Sequence, residues 1–69
     1  MYPTYRCYII DATKDRNIQF FSQDLTQLKD ELKERLKQCS ALAIYEIHQT
    51  IETVIERGDN QMRPLEIAK

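Results

Sequence analysis

A chain of 69 residues and 8.2 kDa, with 42% hydrophobic and 30% charged positions, one glycine and two prolines, has the composition of a single small globular domain spanning 1–69. Its formal net charge of −1 is spread as +1 over residues 1–23, 0 over 24–39 and −2 over 40–69, so there is neither the basic face that counterion release at phosphates requires nor an acidic tail. No run approaches the roughly 20 apolar residues of a membrane span, and Met1 to Arg6 has neither the basic flank nor the apolar core of a leader peptide; a soluble, cytoplasmic protein is expected.

Thr4 to Ile10 is rich in aromatic and β-branched residues and follows a proline, which predicts a strand. Alternation places Tyr5, Cys7 and Ile9 on one side and Arg6, Tyr8 and Ile10 on the other. Both sides carry apolar residues, as in a strand covered twice. Asp11 to Asn17 is polar and holds the Asp and Asn that favour turns. Ile18 to Ser22 resumes the strand signature, which makes a hairpin whose register is left open by the lack of Asn-Gly or Asp-Gly.

Asp24-Leu-Thr-Gln27 has the form of a helix start, with Asp24 able to accept orphan amide hydrogens. Leu25, Leu28, Leu32, Leu36 and Cys39 then recur at spacings of three and four, the stripe of an amphipathic helix over 24–39. Two heptads are too few for a coiled coil.

Leu42 to Glu56 fits both templates. Ile44, Ile47, His48, Ile51, Val54 and Ile55 share a helical face, whereas Ala43, Tyr45, Ile47, Ile51, Thr53 and Ile55 share a face of a strand. Seven of the twelve residues from 44 to 55 are β-branched, which favours a sheet. At about 3.3 Å per residue such a strand would run near 50 Å and overhang a compact domain, so it must bend at a bulge near 48–50 or pair with another chain. Arg57 to Asn60 is read as a turn built on Gly58, and Arg57-Gly58-Asp59 as turn chemistry in preference to an adhesion tripeptide. Pro64 bars a central ladder position, and 61–69 reads as a flexible tail from which Leu65 and Ile67 could add a short edge strand.

The fold class expected is α+β, a β-β-α-β antiparallel sheet with one helix on one face; the alternative is a hairpin followed by two helices. The core expected is Tyr5, Cys7, Ile9, Ile18, Phe20, Leu25, Leu28, Leu32, Leu36, Ile44 and Ile47.

No motif of catalysis, cofactor or metal binding is present. His48 has no nucleophile elbow or glycine-rich loop beside it, the two cysteines lack metal or redox spacing, and Asp11, Asp15 and Asn17 miss the EF-hand pattern. A hydrolase using Cys39 and His48 is the weakest reading. One helix cannot cover both sides of the sheet, which leaves Tyr8, Ile10, Ile51, Val54 and Ile55 as a candidate interface. The expectation is a non-enzymatic protein–protein interaction module, homodimeric or bound to another protein. Size alone suggests the accessory or regulatory kind found in bacteria and their phages. The alternative is a weak single-stranded nucleic-acid binder using Arg6, Tyr8, Lys14 and Arg16, the one local concentration of basic and aromatic residues.

Overall fold

The computed structural model describes residues 4–49 and 53–65. Its elements run β1 (Tyr5–Asp11), β2 (Arg16–Ser22), α1 (Leu25–Leu36), β3 (Ile44–Gln49) and β4 (Thr53–Asp59). The strands form one antiparallel sheet in the order β2-β1-β3-β4, with α1 against β1 and β2. This is the expected α+β architecture with one strand more than expected.

The extra strand comes from the ambiguous segment. The 42–56 stretch is neither one long strand nor a helix: β3 and β4 pair antiparallel from Ile44↔Asp59 to Gln49↔Thr53, with a register shift between Ile47 and His48. Pairing the segment with itself satisfies backbone groups that a straight 50 Å strand would have left bare, in a molecule whose longest dimension is 38 Å. The bulge lies at the edge of the region where the length argument requires a bend. Gly58 is a residue of β4 and not of a turn. The reversal follows it, from Asp59 to Met62, where Met62 N–H donates to the Asp59 carbonyl (2.9 Å) and Met62 takes a φ of 58°. Beyond it, Asp59 N–H donates to Arg63 O and Leu65 N–H to Arg57 O, with Pro64 bridged to Gly58. Residues 63–65 thus lie along the edge of β4; Ile67 lies outside the described residues.

The core lies between the sheet and α1. Cys7, Ile9, Phe20, Leu28, Leu32, Leu36, Ala43, Tyr45 and Ile47 are buried, with Tyr5, Ile18, Leu25, Cys39 and Met62 packed around them. Ile44 does not belong to it. It is half-buried on the opposite side, because strand alternation sends Ala43, Tyr45 and Ile47 inward and Ile44 outward. The helix begins as expected: the Asp24 carboxylate accepts from Thr26 N (2.9 Å) and Gln27 N (3.3 Å). It ends at Leu36, three residues earlier than the stripe implies. Gln38 N and Cys39 N bond the Arg35 and Leu36 carbonyls, tightening the last turn.

The end of the helix is tied to the β1–β2 turn. Buried Asp11 accepts from Ser40 N (3.0 Å) and Ser40 Oγ (2.7 Å), and from Lys14 N within its own turn. These bonds, led by the Ser40 amide, hold the Asp11 carboxyl below its ordinary range. Where α1 does not reach, Tyr45 fills the space beneath β4. Its hydroxyl donates to Glu56 Oε2 (2.6 Å), and Glu56 Oε1 meets Lys29 Nζ of the helix at 2.8 Å.

Candidate functional site

The side of the sheet away from α1 is covered by no element among the described residues. Alternation along each strand and the cross-strand register define it as three rows. Phe21, Arg6, His48 and Val54 form the first, Gln19, Tyr8, Glu46 and Arg57 the second, and Asn17, Ile10, Ile44 and Asp59 the third. The central columns hold a connected polar chain. The Arg6 guanidinium lies 4.9 Å from the Tyr8 ring centroid, and that ring meets His48 edge-on at 5.0 Å and 78°. His48 Nε2 is 3.0 Å from Glu46 Oε1, and Arg57 Nη2 is 2.7 Å from Glu46 Oε2. His48 Nδ1 is buried with no hydrogen-bond partner among the described residues.

Around this chain stand apolar groups. Tyr8, Ile44 and Val54 are half-buried, while Ile10 is 41% and Phe21 58% exposed. Of the candidate interface residues, Tyr8, Ile10 and Val54 thus share one surface. Ile55 stands at the bulge, exposed, and Ile51 lies outside the described residues. Phe21 and Ile44 belong to the surface too. Alternation gave the signal for both, since Phe20 and Tyr45 face the core and each neighbour must face away.

The four residues of the nucleic-acid alternative are not gathered. Arg6 and Tyr8 are on the open face. Arg16 pairs across from Asp11 on the helix side, and Lys14 Nζ (2.9 Å) and Arg16 Nη2 (3.1 Å) both donate to the Gln38 carbonyl at the end of α1. Two of the basic groups therefore complement the negative end of the helix, with the sheet between them and Tyr8.

The same separation applies to the thiols. Cys7 faces the core, where burial pushes its thiol up to about 12 with the Glu56 charge adding to the effect and Arg35 opposing it. That is the reverse of what a nucleophile needs. Cys39 Sγ donates to the Arg35 carbonyl (3.3 Å) on the helix side, and His48 is on the open face. Both cysteines are free thiols. Among the described residues no three His, Cys, Asp or Glu side chains could hold a metal together, and no helix is long and apolar enough to cross a membrane. On the helix side an open cleft of about 510 Å³ lies between α1 and the turn after β4, lined by Lys33, Leu36, Lys37, Asn60, Gln61 and Met62. Compared with protein-family models, curated proteins and solved structures, the chain matches none.

Proposed function

We propose that the protein is a small non-enzymatic interaction module that binds a second copy of itself through the open face of the sheet, in an accessory or regulatory role in a reducing, cytoplasmic setting that suits its two free thiols. The observation that carries this reading is the pair Ile10 and Phe21, large apolar side chains that remain exposed on the face opposite the helix. Together with Tyr8, Ile44 and Val54 they surround a strip holding both signs of charge, Arg6 and Arg57 beside Glu46. Such a surface complements itself: in a two-fold pair the carboxylate of one copy can meet a guanidinium of the other while the apolar positions close around them. The nucleic-acid reading draws less support, since Lys14 and Arg16 are held at the helix end.

Sedimentation equilibrium between about 10 and 500 µM tests the reading. A mass above the 8.2 kDa of one chain, lowered by Ile10→Asp with the circular dichroism of the variant unchanged, is expected. A distribution of mass that Ile10→Asp leaves unaltered removes the open face as the contact.

A further inference from the structure

The two edges of the sheet are built differently. On the outer side of β4 lie residues 63–65, joined to it by two backbone hydrogen bonds and carrying Pro64, and β4 itself is bulged. Proline, bulges and a covering segment are the means by which a sheet edge is kept from pairing with another chain. β2 has none of these. All seven of its residues pair with β1 in unbroken register, and nothing among the described residues pairs with its outer side. Backbone N–H and C=O groups alternate between the two sides of a strand, so half of those on β2 point outward. From Asn17 to Gln23 the sequence Asn-Ile-Gln-Phe-Phe-Ser-Gln contains no charge, no proline and no glycine, the composition that favours strand-to-strand association. Arg16 on one flank is engaged by the Gln38 carbonyl and Asp24 on the other by the amides of the helix start, while the Arg35 guanidinium lies over the Phe20 ring at 4.6 Å on the helix side.

We infer that β2 is a second, independent self-contact, at which β2 of another copy adds antiparallel to give one continuous eight-stranded sheet. The occupant is a second copy because the edge is its own complement: an antiparallel two-fold centred near Gln19 sets Ile18 and Phe20 of one strand beside Phe20 and Ile18 of the other, with Asn17 beside Phe21 and no like charges opposed. The axis stands normal to the sheet. Both helices then lie on one side and both open faces on the other, which doubles the surface assigned to face-to-face contact and makes a tetramer the full assembly. A joint of seven residues a side falls below the roughly 1,200–1,600 Å² of a standard interface, so the edge contact alone is expected to have a Kd on the order of 10–100 µM.

The test is made in the Ile10→Asp background, where the open face is spoiled. This variant is expected to remain a concentration-dependent dimer in sedimentation. Adding Gln19→Lys or Gln19→Glu should weaken that dimer at least tenfold by opposing like charges at the axis, and mixing the Lys and Glu variants should restore it. Amide hydrogen exchange supplies a readout that face stacking does not move: outward-facing amides of β2 should slow as concentration rises. A monomeric Ile10→Asp variant at 500 µM overturns the edge contact and leaves the open-face reading standing. So does a dimer indifferent to the charge at 19, or one in which an added peptide strand and not a second copy protects β2. Wild-type protein and Ile10→Asp that share one dimer, weakened in both by Gln19→Lys, do the opposite, retaining the edge and removing the face.

Discussion

Gly58 sits in β4 with no positive φ, so conformational freedom does not explain it. Space does. A Cβ at this position would lie 2.4 Å from Cε1 and 2.5 Å from Oη of Tyr45, whose ring crosses beneath the strand and is 1% exposed. The ring cannot withdraw, because it is packed among the buried residues between the sheet and α1. Gly58→Ala is therefore expected to cost about 1–3 kcal/mol in chemical denaturation, and Tyr45→Phe in the same chain should recover little, since the ring atoms and not the oxygen alone are in the way. In the sequence the only glycine beside Asp and Asn reads as a turn. That reading placed the reversal two residues early because turn chemistry is local, whereas the need for Gly58 comes from Tyr45, thirteen positions away in the chain.

At the scale of elements, what could be read from the sequence is what has a period. The leucine stripe gave α1, and Asp24 gave its start, because both depend on neighbours within one or two turns. Asp24→Ala is expected to destabilise the fold by about 1 kcal/mol, measured by urea unfolding, and Asp24→Asn by much less, since an amide oxygen can still accept from Thr26 and Gln27. The end of the helix was less legible. Gln38 and Cys39 continue the amphipathic pattern, yet the backbone from Gln38 to Ser40 is drawn toward Asp11, Lys14, Arg16 and Asn60, from three other parts of the chain. Division of 42–56 into β3 and β4 was legible only as a problem of length. Composition gives a β preference to the whole stretch, and neither glycine nor proline marks the place where its direction reverses. The candidate surface was half legible for a related reason: alternation named Tyr8 and Ile10, but Lys14 and Arg16 could be excluded from it only once the tertiary fold had assigned them to the helix end.

For the whole molecule, the carboxylates that join its parts set its response to acid. In Asp11 the bonds from Ser40, with Lys14 adding to them, outweigh an upward effect of burial, and in Asp59 burial acts upward more strongly but the bonds from Arg63 and Gln61 more than offset it; each is held below its ordinary value of 3.8. In Glu56 burial acts upward, but the bonds from Lys29 and the Tyr45 hydroxyl more than offset it, and the group ends below its ordinary 4.5. A carboxyl whose pKa is lower folded than unfolded stabilises above its unfolded value and loses that contribution as pH falls through the folded one. The melting temperature is thus expected to hold between about pH 7 and 5 and to drop below. Glu56→Gln should lower it at neutral pH and flatten the acid limb, and a limb unchanged in slope would show that Glu56 is not among the groups responsible.

The strand order has a consequence for synthesis. β1 is made first but lies inside the sheet, between β2 and β3, so the hairpin and helix that follow it can satisfy only one of its two sides. The other side must wait for β3, on the far side of the helix in the sequence. At about 5–20 residues per second, translation leaves that side of β1 without its ladder for on the order of seconds. During that interval the nascent chain has two bare strand edges where the described residues of the finished protein leave only that of β2, and polysomes bring neighbouring nascent copies close enough for those edges to meet before the domain is complete.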